Sequence, residues 1–222
     1  MLPSRLRLLT CLLAILLIVP LSSAAFDTPL SDTAVREAYF MGQRRDETMS
    51  RFLDKYVKHL PPPKSGPFFS SVSLLTPYAQ LVLDSSQRLS GYSAQQAQID
   101  HRNRKETVRS VIEIQLSETY PAFVPDPASN DSVPGDNLIL RPLDFWKDFD
   151  VHFLQGEKEL RPLTFSGHPN YLCSDNGGCI LTGATLEFEF LAGSFPTDEA
   201  TVQIDLPEGD PLILDFDLAS LR

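Results

Sequence analysis

Basic side chains are in short supply in this chain of 222 residues, where 19 Lys and Arg face 29 Asp and Glu and the net charge is −10. Nucleic-acid binding draws most of its affinity from neutralising phosphates with Lys and Arg, so the deficit argues against DNA and RNA as partners. Long apolar runs are scarce as well. The longest, Leu8 to Val19, is shorter than the about 20 residues a membrane-spanning helix requires. Catalytic signatures are missing: nothing matches G-x-S-x-G, H-E-x-x-H, a P-loop or a dinucleotide fingerprint. Cysteine is limited to Cys11, Cys173 and Cys179.

What is present begins with a processing segment. Arg5 and Arg7 precede the apolar run, and Pro20, Leu21, Ser22, Ser23, Ala24 and Ala25 follow it. That order predicts a secretory signal peptide over 1–25, with the mature chain starting at Ala25 or Phe26 and residing outside the cytoplasm, secreted or periplasmic. Cleavage removes Cys11 and leaves Cys173 and Cys179 where thiols oxidise, so the two are expected to pair. The five residues between them, Ser174 to Gly178, are turn formers, and their number fits neither C-x-x-C nor zinc-ligand spacing. Closing so short a loop is worth about 2 kcal/mol on a chain-entropy estimate.

Charge divides the mature chain. Residues 26–110 hold 12 Lys and Arg against 9 Asp and Glu, whereas 111–222 hold 5 against 20. The first part reads as mainly helical over 26–106. Val35, Ala38, Tyr39 and Met41 recur at helical period behind the capping residues Ser31 and Asp32, with Gly42 as the stop. A second helix is predicted from Asp46 to Lys58 on the stripe Met49, Phe52, Leu53, Tyr56 and Val57, ended by Pro61 to Pro63. A strand is expected near 68–75. Thr76 and Pro77 then open a helix reaching toward Leu89, and Ser93 opens another over Ala94 to Lys105.

The second part, 107–222, reads as β. Val108, Ile112 and Ile114 alternate with Arg109, Glu113 and Gln115; Leu186, Phe188 and Phe190 with Glu187 and Glu189; Val202, Ile204 and Leu206 with Gln203 and Asp205; Leu212, Leu214 and Phe216 with Asp215 and Asp217. Segments at Leu138 to Leu143, Phe149 to Leu154 and Leu163 to Phe165 add further strands, and the proline-rich stretch 119–137 reads as a loop. One wet face per strand is the mark of antiparallel sheets. The expected fold is therefore α+β, a helical N-terminal region packed on an acidic antiparallel β-sandwich of Ig-like architecture.

Site candidates are few. Asp148, Asp150 and His152 fall at i, i+2 and i+4, so a fully extended backbone would project all three toward one cation, although an ordinary exposed strand face reads the same way and no metal or cofactor is expected. Asp205, Glu208 and Asp210 beside Gly209 are a weaker oxygen cluster. Trp146, between Phe145 and Phe149, reads as a buried tryptophan rather than a sugar platform. Asn130 and Ser132 form an N-x-S sequon. The resulting expectation is a non-enzymatic module that binds a protein or envelope macromolecule. Its rival is a hydrolase or metal-dependent enzyme at the helix/sheet junction, using His101 with Asp100 or the Asp148 to His152 face.

Overall fold

The computed structural model describes residues 25–88, 91–126, 137–207 and 209–222. Residues 1–24, which fall in the segment expected to be a signal peptide, together with Leu89, the sequon at Asn130 and Glu208, lie outside the described residues. Among the described residues no helix is long and apolar enough to cross a membrane.

Helix formation follows side-chain capping. Ser31 accepts from the Ala34 N–H at the head of α1 (Asp32–Arg44), and Asp46 accepts from the Thr48 and Met49 N–H groups at the head of α2 (Glu47–Asp54). Thr76 caps α3 (Pro77–Gln87), whose first position is the proline, and Ser93 caps α4 (Ala94–Arg102). Two boundaries differ from the sequence reading. Gly42 does not end α1; the chain turns at Arg45, which takes up a left-handed φ of 50°. Gly42 is instead the crossing point with α3, where an added Cβ would lie 2.2 Å from the Val82 carbonyl oxygen. The second helix stops at Asp54 because Val57 to His59 enter a sheet as β1. Tyr56 and Val57 fit a helical stripe, but ladder pairing with Ser71 to Ser73 wins over three residues.

The strands are β2 (Phe68–Leu75), β3 (Thr107–Gln115), β4 (Phe123–Pro125), β5 (Leu138–Leu140), β6 (Asp150–Gln155), β7 (Lys158–Glu159), β8 (Thr164–Cys173), β9 (Cys179–Leu191), β10 (Glu199–Asp205) and β11 (Leu212–Asp217). All pair antiparallel, giving one sheet in the order β1-β2-β3-β9-β8, another in the order β11-β10-β6-β7, and the small ribbon β4-β5. The fold is thus α+β, with four helices among the described residues and antiparallel sheets packed together. Part of the proline-rich stretch does join a ladder, because Phe123 to Pro125 pair with Leu138 to Leu140.

Alternation sorts the side chains. Along β3, Val108, Ser110, Ile112 and Ile114 are fully buried while Gln115 is exposed, and along β10 Val202 and Ile204 point inward with Thr201 and Gln203 outward. The two large sheets meet through aromatic rings: Phe153 of β6 lies 5.0 Å from Phe188 and 4.6 Å from Phe190 of β9. Trp146, 8% exposed, closes one side of this core against Gly167, as expected of a buried tryptophan. A second apolar cluster, built on Leu30, Ala34, Val35, Ala38, Tyr78, Val82 and Ala97, holds the helices together. Arg222 joins the helices to the end of the chain. Its guanidinium pairs with Asp27 and Glu37 and covers the Tyr78 ring, while its backbone exchanges hydrogen bonds with the Tyr56 hydroxyl.

Gly42 gives a test of the helix crossing. Glycine to alanine inside an exposed helix stabilises by about 1 kcal/mol, but here the methyl group meets backbone. Gly42→Ala is expected to destabilise by about 1–3 kcal/mol, read as a lower denaturation midpoint with unchanged slope.

Candidate functional site

Three places gather polar or exposed groups. The first is the helix/sheet junction, where α4 ends and β3 begins. His101 does not face Asp100: neighbouring helical residues project about 100° apart, and Asp100 bonds to Gln96 and Tyr92 instead. The partner of His101 is Glu106, with Nε2 2.9 Å from Oε1, and both side chains are largely buried at 16% and 12% exposure. Glu106 also accepts from the Thr28 hydroxyl and, at 2.6 Å, from the Leu30 N–H. Burial alone would push the Glu106 carboxyl up, but the hydrogen bonds from His101, Thr28 and Leu30 outweigh it and hold the group below its ordinary value. Sequence reasoning missed Glu106, since nothing local distinguishes it; its partners lie 76 and 78 residues earlier.

The junction opens onto a groove of about 720 Å³ lined by Thr28 to Leu30, His101, Arg102, Arg104, Glu106 and Leu191 to Ser194. The basic residues at the helix end are mostly engaged, Arg102 with Asp32 and Arg104 with Asp84 at 3.5 Å. Glu106 receives three donors and therefore acts as a tether between the segment around Leu30, α4 and β3. Such a carboxylate has little capacity left to accept a substrate proton.

The second place is the outward face of β6 and β10. Asp150 and His152 lie on β6, whereas Asp148 closes a short 3₁₀ turn, Phe145–Asp148, so the extended backbone starts only at Phe149. The charge of Asp148 acts on Tyr120 instead. His152 is bracketed by carboxylates on two other strands, its Nδ1 2.7 Å from Glu159 Oε1 and its Nε2 3.4 Å from Asp205 Oδ2. Asp205 stands opposite Asp150 in the ladder. Because the two carboxylates approach opposite edges of the ring, they do not converge on a common point. Among the described residues no group of three or more His, Cys, Asp or Glu is arranged to hold a metal ion. The hydrogen bond to Glu159, with the charges of Glu159, Asp205 and Asp150, raises the His152 pKa above its ordinary value against the opposing effect of burial.

The third place is the tip of the β8–β9 hairpin. Cys173 stands opposite Cys179 in the ladder and the two form a disulfide. The turn between them is held by Ser174 N–H to the Gly178 carbonyl at 2.8 Å and by Gly177, whose φ of 84° suits a residue without Cβ. Immediately behind the bridge, Leu172 and Ile180 face each other across the strands at 64% and 61% exposure, with Tyr171 at 45%. The sequence pointed to the bridged turn but not to the long strands that carry it, because β8 contains Gly167, Pro169 and Asn170 and alternates poorly.

Compared with models of protein families, with curated proteins and with solved structures, the chain matches none.

Two outcomes check these assignments. A depressed carboxyl pKa contributes stability above the unfolded-state value and loses it as the pH falls through the folded one. Glu106→Gln is therefore expected to lower stability by about 1–3 kcal/mol at neutral pH, with the gap from wild type narrowing below about pH 4 in denaturant titrations run across pH. His152 has the opposite sign: its raised pKa contributes below the unfolded value and fades as the pH rises through the folded one. Its imidazole signals in NMR are expected to titrate above about 6.5, and Glu159→Gln is expected to move the midpoint down further than Asp205→Asn.

Proposed function

We propose that this protein is an extracytoplasmic, non-enzymatic module that works by docking another protein on the β8–β9 hairpin. In this reading residues 1–25 are an export signal. Residues 107–222 form an acidic β-sandwich of Ig-like architecture, and the helical region 26–106 packs on it. The observation that carries the proposal is the pairing of exposed Leu172 and Ile180 directly behind a covalent bridge. Apolar side chains kept in water forgo about 1.5–3 kcal/mol each relative to burial. Held on a disulfide-closed hairpin, they lose little conformational freedom when a partner covers them. The bridge also suits an oxidising compartment, as the export signal requires. The acidic outer faces make nucleic acid an unfavourable partner.

A second reading is favoured by one observation, the open groove beside the His101–Glu106 pair. A hydrolase there would use His101 as its base. Against it stands the engagement of Glu106 by three donors, which ties the pair to structure.

The docking reading is tested by replacing Leu172 with photoreactive benzoylphenylalanine in cells that export the chain. Irradiation is expected to give an adduct heavier than the chain itself. The adduct should disappear when Ile180→Asp is added to the labelled protein. Absence of any adduct from a folded, exported protein would refute the docking role.

A further inference from the structure

The two larger sheets present four edge strands, and three of them are short or charged. β1 has three residues including Lys58, β7 has only Lys158 and Glu159, and β11 carries Asp215 and Asp217. β8 differs on both counts. It is ten residues long, and from Thr164 to Cys173 it contains no Asp, Glu, Lys or Arg, in a chain of net charge −10. Edge strands are normally protected by charge, brevity, proline or bulges, because their unpaired N–H and C=O groups template further pairing. β8 has two such devices, Pro169 and a register irregularity between Asn170 and Tyr171. Both lie in its second half, which leaves Thr164 to His168 uninterrupted.

We propose that the free edge of β8 pairs antiparallel with β8 of a second copy of this chain, extending the five-stranded sheet across a twofold axis. The inference goes beyond the docking reading of the hairpin, because it concerns the strand that leads to the tip. Self-pairing suits this strand for two reasons. The first is the placement of its apolar side chains: Leu163 and Phe165 are exposed beside the uninterrupted half. A twofold axis at Ser166 sets Phe165 of each copy opposite Gly167 of the other and Leu163 opposite Pro169, so both exposed side chains are covered at each end of the seam. The second reason is charge. Two copies of so acidic a chain repel each other wherever their carboxylates face, and the seam along β8 brings none of them opposite another. The nearest acids, Glu187 and Glu189, belong to β9 and stand back by one strand spacing of about 4.8 Å. Stacking of Phe165 on Phe188, with ring centroids 4.6 Å apart, keeps the uninterrupted half of the edge in register with the core.

Sedimentation velocity on the purified protein tests this directly. A seam of five paired residues and a few side chains is smaller than a standard interface, so the expected result is a monomer–dimer equilibrium with Kd of about 10–100 μM. Hydrogen exchange at amides of residues 164–168 should slow as concentration rises through that range. Ser166 is exposed and stands opposite Glu187 on β9, so Ser166→Lys can be accommodated by the monomer but sets two like charges beside the twofold axis. It is expected to weaken dimerisation at least tenfold, while Ser166→Thr leaves it unchanged and circular dichroism shows both folded. A wild type that stays monomeric to about 200 μM, or a Ser166→Lys dimer as tight as the wild type, overturns the proposal. Photoadducts at residue 172, on the hairpin, and at residue 165, in the seam, separate the two ideas. From residue 165 an adduct of twice the chain mass supports self-pairing; an adduct from residue 172 to a different protein with a monomeric wild type overturns it and leaves the docking role standing, and no adduct from either with a monomeric wild type removes both.

Discussion

The arrangement depends on Phe153 of β6 lying against Phe188 and Phe190 of β9. Those three rings are the point at which the two large sheets meet, and burying each contributes about 1.5–3 kcal/mol. With Phe188 and Phe190 fixed inward, the pleat forces Glu187 and Glu189 outward; with Phe153 fixed inward, it forces His152 outward toward Asp205. A one-residue slip of either strand would exchange rings for carboxylates across the whole face. The acidic surface and the apolar core are thus two consequences of one register.

That register also accounts for how the titratable groups are arranged. Carboxylates displaced to the solvent side of neighbouring strands line up in the ladder, as Asp150 does with Asp205, and they are relieved by whatever cation the same face supplies. His152 fills that role between β7 and β10 when it is protonated, and the upward shift of its pKa follows from the hydrogen bond to Glu159 and the nearby carboxylates. Glu106 is the inward-looking counterpart. It sits where helix gives way to strand, and its three donors come from segments far apart in the chain. One His–carboxylate pair offsets surface charge and the other anchors a loop.

Much of this was legible in residue order and some was not. Period-two alternation placed β3, β10 and β11 closely because each buries a single face, and the helix heads at Ser31, Thr76 and Ser93 were readable from capping chemistry. The helix ends were less so. Gly42 resembles a stop by type, but its missing Cβ serves a close helix crossing, a tertiary demand that leaves no local mark. Tyr56 and Val57 continue a helical stripe yet yield to sheet pairing, and the length of β8 is hidden by Gly167 and Pro169. Of the site residues, the cysteine pair was visible from counting and turn composition. His101 pairs with Glu106 across a helix end rather than with Asp100, and His152 keeps Asp150 near it but takes its two contacts from other strands, Glu159 and Asp205.

The hairpin stands apart from these relations because nothing in the register requires it to be apolar. Beyond Leu181, which is still buried in the core, the β8–β9 pair runs past the body of the sheet, and Leu172 and Ile180 stay exposed. Polar residues there would cost the core nothing, and the solvated strands elsewhere in the chain use them freely. The disulfide makes the same point from the side of entropy. It joins residues six apart in sequence, so it fixes the hairpin end locally and does little for the distant parts of the fold. Rigidity and exposed apolar surface coincide at an end of the sheet where the core requires neither, and both would reduce the free energy that any docking partner had to supply.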